Sequence, residues 1–141
     1  MKRSKIFVLS VIVIVFLLCS AANAGLPRGV IETPYFEIAR EYAKNPFRTH
    51  KEWVNNKGVA LNGVVKGMTI DNGHAVVIFV KRDEGAKYED VVYYFYFDGV
   101  PDSVMSLEEG HYIGLGGKVV NIRTYNNNAL LIDVGPAVLF D

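Results

Sequence analysis

The three histidines, His50, His74 and His111, are the side chains best suited to hold a metal or move a proton, and they stand far apart. None has a second histidine within one helical turn, the spacing that points two imidazoles at one ion. Each reads as a surface histidine, and Asp71 with His74 as the common polar flanking of a turn. Ser103 and Ser106 fall in a short turn-forming stretch and outside any Gly-x-Ser-x-Gly elbow, so nothing prepares a serine nucleophile. Glu89-Asp90 and Glu108-Glu109 read as solvated turn ends. Gly114-x-Gly116-Gly117 lacks the spacing and the strand-to-helix setting of a phosphate-binding loop. These residues lead to the expectation of a non-enzymatic protein with no cofactor and no bound metal.

What remains is aromatic. Val91-Val92-Tyr93-Tyr94-Phe95-Tyr96-Phe97-Asp98 is β-branched or aromatic up to its last position, a composition for a strand. Val91, Tyr93, Phe95 and Phe97 share one face and belong in a core. Val92, Tyr94, Tyr96 and Asp98 share the other. Two tyrosines and a carboxylate make that second face either half-wet or covered by something amphipathic.

The elements that must position this strand follow along the chain. Residues 1–24 read as a secretory signal peptide: Lys2, Arg3 and Lys5, an apolar run from Ile6 to Leu18, then Ala22-Asn23-Ala24 as a small-x-small cleavage site. The run is short for a permanent bilayer span. Cys19 follows Leu18 rather than a small residue, so the expectation is cleavage after Ala24 rather than lipidation at Cys19. The product is periplasmic or extracellular. Of 141 residues, 117 then remain, enough for one domain with one modest core. Lys2, Arg3 and Lys5 leave with the signal, so 12 basic residues face 15 acidic ones, a net charge of −3. That balance argues against a nucleic-acid partner, which needs a basic field. The mature chain has no cysteine, so packing alone holds it in an oxidising compartment.

Residues 25–32 form a leader, and residues 33–141 the domain. Thr33-Pro34 reads as N-cap and first helical position. Tyr35, Ile38 and Tyr42 make the apolar stripe of an amphipathic helix of about ten residues, stopped by Asn45-Pro46. Its tyrosines are expected to cover a barrel. Thr49-His50-Lys51-Glu52 matches a capping box and predicts one or two further turns through Trp53. Strands are then expected at Val59 to Ile70 (broken by Gly63 and Gly67), Ala75 to Val80, Val91 to Asp98, Tyr112 to Thr124 and Ala129 to Val134. Ala137 to Phe140 continues the last as an edge. Asp71-Asn72-Gly73 is a tight-turn signal, Lys81 to Asp90 a charged loop, and Asp102 caps a short helical turn. Ala75 to Val80 is apolar on both faces, so its inward side is not readable.

Five strands, with glycines inside the first and fourth and a helical turn between the third and fourth, describe a five-stranded OB-fold barrel preceded by an N-terminal amphipathic α-helix. Val59-Ala60-Leu61-Asn62-Gly63-Val64-Val65 resembles the opening strand of the tRNA-anticodon-binding-like OB domains of exported bacterial proteins. Leu107-Glu108-Glu109-Gly110 with Gly116-Gly117-Lys118-Val119 is similar to their passage into strand four. The resemblance covers roughly Tyr35 to Val138 and rests on backbone-shaping glycines and core aliphatics, which speak for fold rather than ligand. It implies a ligand face on strands two and three: Tyr94 and Tyr96, flanked by His74 and by Tyr125, Asn126, Asn127 and Asn128, with Arg123 and Lys66 as the nearest cations. Tyrosines there stack on bases or sugars, or else pack across strands or under the helix. The asparagine run is a binding loop or a left-handed turn. The functional expectation is an exported binding module for a protein or glycan of the cell envelope. The alternative is a binder of single-stranded nucleic acid or nucleotide.

Overall fold

The alternation read along residues 91–98 is the frame of the molecule. In a computed structural model, which describes residues 34–140, Asp90–Tyr96 forms a strand whose Val91, Tyr93 and Phe95 are fully buried while Val92, Tyr94 and Tyr96 are half-buried. The expected signal peptide and the leader lie outside the described residues.

Around this strand the chain forms a mainly β, curled half-barrel sheet with two short helices. In chain order the elements are α1 (Glu37–Lys44), α2 (Pro46–Trp53), β1 (Gly58–Val64), β2 (Gly67–Asp71), β3 (His74–Arg82), β4 (Asp90–Tyr96), a 3-10 turn (Asp102–Val104), β5 (Tyr112–Tyr125), β6 (Ala129–Val134) and β7 (Val138–Phe140). The strand order is β1-β5-β6-β4-β3-β2, and β7 pairs with β5. β4 and β6 run parallel; the other pairs are antiparallel. β1 and β2 end this path yet are joined by Val65-Lys66 alone, so the sheet curls back on itself.

The strand count departs from the expected five for two local reasons. The long first strand breaks at Val65-Lys66, where the Val65 amide donates to His111 O and the Lys66 amide to Ile78 O, two different neighbours. Val138–Phe140 turns back onto β5 and adds a strand. That approach needs a bare backbone: a Cβ on Gly114 would meet the Phe140 carbonyl at 2.7 Å and Asn62 Oδ1 at 2.8 Å.

The second helix ends at Trp53 as expected but starts earlier than the capping-box reading placed it. Asn45-Pro46 does not merely stop α1; it starts α2. Asn45 Oδ1 accepts from the Arg48 amide, and Pro46 takes the first helical position, where its missing N–H costs nothing. Thr49 is therefore inside the helix, its hydroxyl donating to the Asn45 carbonyl. α1 itself begins at Glu37.

The core is continuous from sheet to helices. Phe79 meets Phe95 edge-on at 5.1 Å, Tyr93 stacks on Phe95 at 5.9 Å, and Leu115, Leu130 and Ile132 close round them. α1 plugs one end: Ile38 is buried, and Tyr35 packs edge-on against Tyr93 at 4.9 Å. The Tyr93 hydroxyl donates to Tyr35 O and the Tyr35 hydroxyl to Val91 O. Tyr42 packs on Tyr88, so the tyrosine stripe does cover this end. At the other end the 3-10 turn lays Val104 and Leu107 against the core.

Candidate functional site

The register settles the inward side of β3. Ala75, Val77 and Phe79 face in. Val76, Ile78 and Val80 face out, opposite Tyr96, Tyr94 and Val92 of β4. On the far side of β4, Val92 stands beside Leu131 and Tyr94 beside Asp133. The middle of the outer surface of three neighbouring strands is thus Val76, Ile78, Val80, Val92, Leu131 and two tyrosines, with Val76 and Leu131 themselves buried, Asp133 beside Tyr94, and Arg82 and Asp90 at one end. A sheet face that merely meets water carries polar side chains there.

Two charged pairs sit in this surface: Arg82 with Asp90 at the end away from Tyr96, and Arg123 with Asp133 nearer its middle. The Arg123 guanidinium donates twice to the Asp133 carboxylate, Nε to Oδ2 and NH2 to Oδ1, each at 3.1 Å. Its carbon lies 5.5 Å from the centre of the Tyr94 ring. Asp133 is 8% exposed, so its charge is satisfied almost entirely by Arg123. The bidentate bond to Asp133 holds the guanidinium above its ordinary value. Partial burial, then the Asp133 charge, push the Tyr96 hydroxyl up, and Arg123 opposes them. The cation expected to meet a ligand is therefore already paired, with its face turned to Tyr94 and its edge to the carboxylate.

The structure brings Tyr94, Tyr96 and Arg123 together and sets the other candidates at the two ends of the face. His74 opens β3 at the Tyr96 end. Its Nδ1 lies 2.9 Å from Phe97 O and accepts from the Gly99 amide at 3.1 Å, tying the β2–β3 turn to the turn after β4. Tyr125, Asn126 and Asn127 lie at the opposite end, beside Asp90. Asn126 and Asn127 take φ of 58° and 73°, the left-handed geometry asparagine tolerates, and Asn128 O accepts from the Asp90 amide. Lys66 marks the break between β1 and β2. Among the described residues no three His, Asp or Glu side chains gather as a metal site.

Asp133, Ile78, Val80 and Leu131 are the members that sequence reasoning did not assign. Asp133 is the single polar residue in Leu130-Leu131-Ile132-Asp133-Val134, and it shares a face with Leu131 by strand alternation. That isolated carboxylate is the signal that pairs it with a cation.

No protein-family model and no curated protein matches the chain. Among solved structures it is similar to a crystal structure from Klebsiella pneumoniae described as a "putative nucleic acid-binding lipoprotein", with 16% identity over 79% of this chain and 92% of that one, and a TM-score of 0.50. At that identity the likeness is one of fold: the two proteins share a barrel-like β architecture.

Proposed function

We propose that this chain is an exported, non-enzymatic binding module of OB-fold type whose outer β3–β4–β6 face takes a protein or glycan partner in the cell envelope. The observation that carries the reading is that face: aliphatics and tyrosines where water would favour polar groups, with Arg82 at its end and Arg123 at its β5 edge each paired to a carboxylate. β1 with β2, then β3, β4, β5 and β6, with β4 and β6 parallel, follow the five-strand OB path, which supports the finer fold. The likeness to tRNA-anticodon-binding-like domains rests on backbone-shaping glycines and core aliphatics. Export is supported by Lys2 to Ala24. The Klebsiella lipoprotein makes acylation at Cys19 an outcome worth measuring beside cleavage after Ala24.

Tyr94→Ala with Tyr96→Ala should abolish capture of a defined envelope protein or glycan while leaving the fold intact by circular dichroism. Unchanged capture would remove the face from consideration. Turnover of generic ester and phosphoester substrates is expected to be nil.

The description of the Klebsiella protein favours a second reading, single-stranded nucleic acid. Tyr94 and Tyr96 suit base stacking, but a pre-paired Arg123 offers phosphate little. Amide shifts at Tyr94 and Tyr96 on adding an oligonucleotide at low salt, reversed by salt, would establish that reading; silence at high oligonucleotide concentration would eliminate it.

A further inference from the structure

We infer that the open end of the curled sheet is a second docking surface, shaped for a cationic amphipathic peptide segment of a partner protein. The plug at that end is small. Val104 and Leu107 reach the core, but the 3-10 turn is three residues long and leaves apolar surface uncovered. A depression of about 290 Å³ lies between the β2–β3 hairpin and the segment that follows β4. Four of its walls are largely in water: Met68 is 41% exposed, Ile70 64%, Val100 44% and Met105 70%. Two are methionines, whose flexible thioethers adapt to a partner's shape.

Charge fixes the occupant. Residues 98–111 contain Asp98, Asp102, Glu108 and Glu109 and no lysine or arginine. All four carboxylates are exposed, as is Asp71, the neighbour of Ile70. None of the five forms an ion pair among the described residues, whereas Asp83, Glu84, Glu89, Asp90 and Asp133 all do. An apolar depression rimmed by free carboxylates repels a nucleic acid and an anionic membrane alike. It suits a segment with leucine-like side chains on one side and lysine or arginine on the other, the helix-in-groove mode with complementary charge. This end of the sheet adjoins the Tyr94–Tyr96 face, since Val76, paired with Tyr96, also lines the depression, so the two surfaces could serve one partner or two.

The test uses the full exported chain from Gly25, isotope-labelled, and a synthetic amphipathic helix of leucine and lysine. Its controls are a leucine–glutamate peptide of the same pattern and a serine–lysine peptide of the same charge. The leucine–lysine peptide should shift the Met68, Ile70 and Met105 methyls and the amides of residues 98–111, saturably and less as salt rises; neither control should. Ile70→Lys with Met105→Lys, both at exposed positions, should weaken binding by about tenfold or more. Asp102→Asn with Glu108→Gln and Glu109→Gln should do the same and flatten the salt dependence. Shifts scattered over the surface, shifts confined to Tyr94 and Tyr96, undiminished binding by Ile70→Lys with Met105→Lys, shifts from anionic vesicles, or concentration-dependent shifts without peptide would each overturn the proposal.

Discussion

Arg123 and Asp133 show how a single side chain changes meaning once its neighbour is known. As a lone cation, Arg123 is a ligand contact; paired with a buried carboxylate, it first serves the fold. Removing it leaves Asp133 charged and without its donor. Arg123 is itself half in water, which screens the pair, so Arg123→Ala should cost about 1 kcal/mol, read as a fall of a few degrees in the thermal midpoint. Arg123→Ala with Asp133→Asn should cost less than Arg123→Ala alone. Tyr35 and Tyr93 are a second residue-scale case. Burial raises both hydroxyls far above their ordinary value, with the charge of Tyr93 adding to it at Tyr35 and that of Glu37 at Tyr93. A tyrosine that holds its proton more tightly when folded contributes fully below its unfolded value of about 10 and loses that contribution as pH climbs above it. In an alkaline titration followed by tyrosinate absorbance, Tyr35 and Tyr93 should ionise only together with unfolding. Early, reversible ionisation of all tyrosines would contradict their burial.

At the scale of elements, glycines and caps decide where strands and helices go. Gly114 sits where β1 and β7 both close on β5, against backbone and side-chain oxygens that cannot retreat together. Gly114→Ala should destabilise by about 1–3 kcal/mol by overpacking. Gly67 is the contrast: a Cβ there would meet nothing nearer than Ile78 Cδ1 at 3.5 Å. Gly67→Ala should therefore be close to neutral, and chemical denaturation of the two variants separates a packing glycine from a merely permissive one. Asn45 is the hinge between α1 and α2. Asn45→Ala removes the bond to the Arg48 amide and should cost about 1 kcal/mol, with helical signal lost before the sheet melts.

The whole molecule presents two unlike surfaces on one curled sheet. The outer face is apolar with its charge internally balanced; the open end is apolar with its charge unbalanced. On the proposals above, a partner for the first would be recognised by shape and stacking, and a partner for the second by attraction at a distance, so salt should weaken only the second. The N-terminus is a whole-molecule question as well, because a lipid at Cys19 would hold both surfaces within reach of a membrane while cleavage after Ala24 would set them free. Intact mass of the exported protein distinguishes the two: a chain beginning at Gly25, or one beginning at an acylated Cys19.

Much of the fold was legible because its signals are local. Alternation along Val91 to Phe97, the Asn72-Gly73 turn, the asparagine turn at 126–127 and the tyrosine stripe of α1 each depend on residues a few positions apart, and strand and helix periods encode them directly. The inward side of β3 was not legible, since Ala75 to Val80 is apolar throughout and only pairing with β4 selects a side. Nor was the doubling of the first strand, which depends on Val65 and Lys66 finding different partners far along the chain. The same holds for the candidate site. Tyr94 and Tyr96 were readable from strand parity, but the Arg123–Asp133 pair joins β5 to β6 diagonally across neighbouring strands, and the open end joins β2 to a segment some thirty residues away. Sequence determines which faces a segment can offer; only the closing of the sheet decides which of those faces meet, because burial and charge pairing are properties of neighbours in space.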